Sequence, residues 1–187
     1  GLTATPERMD GKDLRPDFGN RISAEIRLPQ ALQAGLLTPF QYLCISDDTN
    51  LSDDSLWSGQ KYNIERLADK LCAKTRAQLI VDALHKYLAD EYTCRALCFC
   101  VNKRHADFMA EQLRLYGFNA QSLTSDTPAD ERKQLAKDLR EGTLHYLCVV
   151  DIFNEGVDIP EVDTVLFLRP TESLTIFLQQ LGRGLRL

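Results

Sequence analysis

Apolar positions fall into two kinds of run, and from residue 76 onward the two alternate. Leu79, Ile80, Ala83, Leu84 and Tyr87 recur at helical spacing, which predicts a long helix over residues 76–92. Residues 96–101 are a continuous apolar stretch, short enough for a strand buried on both faces. Ala106, Met109, Ala110 and Leu113 mark one face of the next helix, which Gly117 ends. Residues 119–123 read as a weaker strand. Thr127 reads as an N-cap, with Pro128 in the first helical position and Asp130 three residues after the cap. That helix carries Leu135, Ala136 and Leu139 and runs to Gly142. Residues 146–150 and 163–168 are two further buried strands, and Leu174, Phe177, Leu178 and Leu181 form the stripe of a last helix. Buried strands alternating with amphipathic helices predict an α/β domain: a doubly wound parallel sheet with helices on both faces. Ligands of such sheets bind beyond the carboxyl ends of the strands. The places to search are therefore just after Val101, Leu123, Val150 and Leu168.

The first 75 residues are less regular. Gly11, Pro16 and Gly19 break any long helix before residue 27. A short helix starts at Leu28-Pro29 and ends at Gly35, and residues 40–45 read as a strand. Residues 46–59 carry four aspartates and no periodicity, and read as an exposed loop or extension. Three stretches follow: 1–27, 28–75 as linker and surface extension, and 76–187 as the regular α/β unit. The chain opens on Gly1-Leu2-Thr3 without a methionine, which reads as a piece of a longer protein.

Charge and cysteine usage narrow the function classes. The net charge of −5 is not that of a chain coating nucleic acid by bulk charge, so any such contact must be local or made by backbone amides. The six cysteines fit no zinc or redox spacing. They read as buried free thiols of a reducing, cytoplasmic protein. Cys98 and Cys100 should share one face of their strand. No apolar run reaches the roughly 18 residues of a membrane span.

Two segments carry candidate chemistry. Asp151-Ile152-Phe153-Asn154-Glu155-Gly156-Val157-Asp158-Ile159-Pro160 follows a buried strand, at the ligand edge. Gly156 allows the backbone to bend or to approach a ligand, and Asp158 can accept from a ribose hydroxyl. A plain connection with a turn glycine is the alternative. The second segment is Gln179-Gln180-Leu181-Gly182-Arg183-Gly184-Leu185-Arg186. Guanidinium forks suit phosphate oxygens, and the glycines at 182 and 184 keep the neighbourhood open. Cations favoured by the dipole at a helix end are the competing explanation.

Together these segments resemble superfamily 2 helicases. The QxxGRxxR pattern resembles motif VI, NEGVDIP resembles motif V, and the opening GLTATP resembles motif III. Residues 99–102 fall where motif IV belongs, and residues 124–132 lie between IV and V. The longer stretches GLTATPERMDGKD and LFLRPTESLTIFLQQLGRGLRL resemble a bacterial family related to type III restriction-enzyme motor subunits and DNA-repair helicases. Members often carry a phospholipase-D-like nuclease domain.

The resemblance implies the C-terminal RecA-like lobe of an ATP-dependent DNA helicase or translocase, with residues 1–27 as the tail of the first lobe. ATP and magnesium would be held mainly by that first lobe. No GxxxxGK followed by Ser or Thr occurs here, nor a DEAH-like box after a strand. Arg186 matches the arginine finger, Arg183 its companion, and Gln179 the polar residue at the phosphates or the nucleic acid. Gly156, Asp158 and Gly182 fall at the nucleotide. Thr3 and Thr5 match positions that couple hydrolysis to strand movement. Asn102, Lys103, Arg104, Thr124 and Ser125 would meet the backbone of DNA, with RNA the lesser expectation. Many relatives begin motif V with a threonine; here Val150 stands, so that contact is absent or is made by a main-chain amide instead. The alternatives are a non-catalytic nucleic-acid-binding or docking module that retains the fold, and an unrelated nucleotide-binding α/β domain, which would need its own phosphate loop.

Overall fold

The computed structural model describes residues 16, 19–59, 61–150, 161–171 and 173–185. In chain order it contains α1 (Leu28–Gln33), a 3₁₀ turn (Asp54–Leu56), β1 (Trp57–Ser58), β2 (Lys61–Tyr62), α2 (Ile64–Leu71), α3 (Lys74–Tyr87), β3 (Ala96–Phe99), α4 (Lys103–Leu115), β4 (Ala120–Leu123), α5 (Ala129–Glu141), β5 (Tyr146–Val149), β6 (Thr164–Phe167) and α6 (Leu174–Leu181). β1 and β2 form a small antiparallel hairpin. The other four strands form a parallel sheet in the order β4-β5-β3-β6.

Alternation along each strand builds two cores. On β3, Ala96 and Cys98 face α3 and α4, packing with Val81, Leu84, Met109 and Leu113. Leu97 and Phe99 face the other side, with Leu139 of α5. On β5, Tyr146 and Cys148 join the first core, Leu147 and Val149 the second. Phe177 of α6 packs against Phe167 of β6 with tilted rings, 5.0 Å between centroids, which sets α6 on the α5 face. Helices thus cover both faces, as the continuous apolar strands require. Cys98, Cys100 and Cys148 share one core as free thiols. Their mutual hydrogen bonding and burial hold the Cys98 and Cys100 thiols well above the ordinary range, so both stay protonated. α4 leaves the central strand β3 to one face, whereas α6 leaves the neighbouring β6 to the other. The crevice between their carboxyl ends is the kind of switch point that accepts ligands.

Three local expectations need correction. Residues 40–45 form no strand; they line a cavity of about 930 Å³ shared with α3 and β6. Their ends are tethered, by Thr38 N–H to Leu185 O at 3.0 Å and by the Arg76–Asp47 ion pair. Strand propensity alone does not make a strand: among the described residues the segment meets no ladder partner. The helix expected over residues 76–92 ends at Tyr87, where Leu88 turns extended and Asp90 accepts from the Tyr92 N–H, an Asx turn that competes with helix. The cap of α5 is Pro128, whose carbonyl accepts from Arg132 N–H, not Thr127. Thr127 Oγ1 turns back to accept from Thr124 N–H at 3.0 Å.

Helix α2 lies within the stretch read as linker. Asn63 caps it, its Oδ1 accepting from Arg66 N–H at 3.1 Å. Leu67, Ala68 and Leu71 bury against Val101, just past β3. That packing carries α2 to the carboxyl edge of the sheet.

Candidate nucleotide and nucleic-acid edge

The loops after β3 and β4 are joined at this edge. Asn102 Oδ1 accepts from His105 N–H at 3.0 Å, capping α4. Its Nδ2 donates to Glu65 of α2 at 3.1 Å. Lys103 Nζ reaches both carboxylate oxygens of Asp126 at 2.6 Å. Arg104 pairs with Asp69 at 2.6 Å and donates to the Glu65 carbonyl at 3.2 Å. The 124–127 turn is closed by Thr124 and Thr127, and Arg132 ties it to α5 through Ser125 O at 2.7 Å. Asn102, Lys103, Arg104, Thr124 and Ser125 are therefore brought to one linked pair of loops. Lys103 and Arg104 each face a carboxylate, so a phosphate here must displace Asp126 or Asp69. Both pairs are solvent-exposed, and such pairs contribute little, so the exchange is cheap.

The second group sits at the end of α6, which Ser173 caps. Gln179 is exposed and Arg183 half-buried, its N–H donating to Gln180 O at 3.1 Å. The glycines do not keep this turn open; they let it pack. A Cβ on Gly184 would stand 2.8 Å from Val165 Cγ2 of β6, and one on Gly182 3.2 Å from Leu178 O. The turn bearing Arg183 is thus pressed onto the sheet. Arg186, Gly156, Asp158, Thr3 and Thr5 lie outside the described residues.

Three residues escape a reading of the sequence. Arg76 Nη2 donates to Leu168 O at 3.4 Å while its Nη1 holds Asp47, so one side chain pins residues 47–49 to the end of β6. Gln180 is fully buried, and among the described residues neither amide atom has a hydrogen-bond partner. Only a glutamine inside an apolar stripe hinted at it. His105 is buried behind the α4 cap, its Nδ1 accepting from Val101 N–H at 3.3 Å, which leaves the proton on Nε2.

Burial first, then Arg76 and Arg104, pushes the His105 pKa from 6.5 down to about 4. Between those values the unfolded chain binds the extra proton, so folding stability is lost as pH falls from 6.5 toward 4 and is flat above. Each unit of displacement is worth about 1.4 kcal/mol. In denaturant titrations from pH 8 to 4, wild type should lose stability relative to His105→Asn below pH 6.5; parallel curves would contradict the assignment.

Comparison with known proteins decides the family. The model of the helicase conserved C-terminal domain matches residues 79–187. The chain belongs to that family. It is the C-terminal lobe of a superfamily 2 helicase, and its parallel sheet with helices is RecA-like. The chain is 28% identical over 186 residues to a 51.5 kDa protein of Lactococcus phage (isolate 7-9), covering all of this chain and 40% of that protein. It is 28% identical over 188 residues to the putative ATP-dependent helicase IRC3 of Saccharomyces cerevisiae, covering all of this chain and 27% of that protein. The chain spans less than half the length of these relatives. Among solved structures, the E. coli DEAD-box protein SrmB, bound to regulator of ribonuclease activity A, aligns with a TM-score of 0.50 at 26% identity, over 59% of this chain and 64% of that one. The helicase C-terminal domain match covers the α/β unit from the middle of α3 through motif VI.

Proposed function

We propose that the chain is the second motor lobe of an ATP-dependent DNA helicase or translocase, supplying arginines to a nucleotide held by the first lobe. The observation that carries this is the turn at residues 182–184, at the end of α6 and within the QxxGRxxR pattern, pressed onto β6 at Gly184 and Val165. A guanidinium held on a fixed turn meets phosphate oxygens without losing much side-chain freedom on binding. Guanidinium and carboxamide donors suit phosphate oxygens. ATP supplies the phosphoanhydride whose cleavage drives the motor, and magnesium would come with the first lobe. Arg183 and Arg186 would hold the terminal phosphates, with Gln179 beside them. Because they stand on a separate lobe, hydrolysis requires the lobes to close.

Asn102, Lys103, Arg104, Thr124 and Ser125 would meet the nucleic-acid backbone. Such contacts go to the backbone and not to the bases, so binding should be sequence-independent and weaken with salt; at Lys103 and Arg104 each phosphate exchanges with an internal carboxylate. DNA is favoured over RNA by the longer matched stretches at the two ends of the chain. The test is steady-state ATP turnover by the complete protein. Turnover should rise on addition of single-stranded DNA, more than with RNA, and the stimulation should fall with added salt. Turnover indifferent to either nucleic acid would contradict the motor reading.

A further inference from the structure

The hairpin β1–β2 carries an aromatic pair that the fold alone does not use up. Trp57 and Tyr62 face each other across the hairpin, with ring centroids 4.1 Å apart and planes tilted by 31°. Tyr62 covers one part of the indole, yet Trp57 keeps 37% of its surface open and neighbouring Ile64 48%. A cross-strand aromatic pair helps hold so short a hairpin. That role needs the contact between the rings; it does not need the remaining indole surface in water.

The position of the hairpin points to the occupant. Asn63 N–H donates to Leu56 O at 2.7 Å, and Arg66 Nη1 donates to Ser55 O at 2.7 Å, so the hairpin is fixed to the first turn of α2. That same turn bonds Asn102 and Arg104 through Glu65. The aromatic pair thus continues the edge assigned above to the nucleic-acid backbone. Charge does not dominate there: Lys70 faces Asp53 and Arg104 faces Asp69. A ligand held at this place must be held by something besides cations. A flat, partly open indole backed by a second ring offers a face to a flat partner, and every base has one.

Resting on the proposed nucleic-acid reading, we infer that Trp57, backed by Tyr62, is a stacking platform for an unpaired base of a single strand running past α2 and the start of α4. Lys61 is exposed on the same hairpin and is the cation offered to the phosphate of the stacked nucleotide. Such a contact is indifferent to base identity but requires a base, and it adds affinity that salt does not screen.

Trp57 is the only tryptophan of the chain, so its emission reports the platform directly. Emission of the 187-residue chain should be quenched in step with binding of a fluorescently labelled oligothymidylate followed by anisotropy. An oligonucleotide of the same length with abasic sites should bind more weakly and leave the emission unchanged. In the complete protein, Trp57→Ala should weaken oligothymidylate binding roughly 5- to 150-fold, the range for loss of one stacked base. Its salt slope should match that of wild type, and Trp57→Phe should retain most of the affinity. Saturating binding with unchanged emission would overturn the platform, as would equal losses in Trp57→Ala and Trp57→Phe. Quenching by the remainder of the protein but not by oligonucleotide would also overturn it and make the pair a protein interface. In these three outcomes the motor reading stands. No binding of nucleic acid by the complete wild-type protein would instead remove the motor reading, and the platform with it.

Discussion

Replacing Arg186 by alanine in the complete protein is expected to lower ATP turnover by on the order of 10³–10⁵ while nucleotide binding changes little. The size of the effect depends on when charge develops. As the bond to the leaving phosphate breaks, charge moves onto the departing oxygen and is spread over the equatorial oxygens of the transferring group, and a guanidinium aimed there acts mainly in the transition state, not on the bound ground state. Arg186 stands three residues after Arg183 in the sequence, and the turn bearing Arg183 packs on β6. Arg186→Lys should restore little, because an ammonium lacks the planar fork that meets two oxygens at once. Measuring turnover beside the affinity for a non-hydrolysable ATP analogue separates the two effects. Unchanged turnover in Arg186→Ala would contradict the finger assignment, and parallel losses in binding and turnover would make Arg186 a binding residue instead.

The second large effect concerns the lobe itself. Tyr146 is fully buried on β5, between β4 and β3, with its ring 5.1 Å from Phe118 and its hydroxyl donating to Glu91 O at 2.6 Å. Burial holds the phenol well above its ordinary pKa, so it remains a donor at all physiological pH values. Tyr146→Ala empties the middle of the core facing α3 and α4 and should cost about 3–5 kcal/mol. In a lobe of this size that lowers Tm by roughly 6–20 °C. Tyr146→Phe keeps the ring and loses only the bond to Glu91 O, a cost of about 1 kcal/mol, with the added penalty of an unpaired carbonyl if water cannot reach it. Thermal unfolding of the two variants should therefore separate clearly. Equal shifts would show that the hydroxyl, not the packing of the ring, dominates at this position.

How far the sequence could be read depended on whether a residue's role was set by its own run or by a partner elsewhere. β3 and β5 were legible because each is an unbroken apolar run, and such a run must be covered on both sides. α2 was not, because its buried positions, Leu67, Ala68 and Leu71, sit in a charged stretch and find their partner in Val101, some thirty residues on. Residues 40–45 illustrate the reverse: β-branched and aromatic side chains favour a strand, but the ladder needs a partner that the tethered segment does not meet. At the edge, the chemistry of Asn102, Lys103 and Arg104 was visible and their engagement was not. A carboxamide that caps a helix and one that meets a phosphate look the same in a sequence. Only the fold shows that Glu65, Asp69 and Asp126 already occupy these three residues. Glycines 182 and 184 were read as open space, and the fold turns them into close packing.

The central claim is that this lobe completes an ATP site whose phosphate-binding half lies on another lobe. It is tested most directly by one assay: magnesium-dependent ATP hydrolysis by the isolated 187-residue chain, run beside the complete protein with single-stranded DNA present in both. The account predicts turnover in the complete protein and none above background in the isolated chain. Robust hydrolysis by the isolated chain would contradict it, because the site would then be whole within these residues.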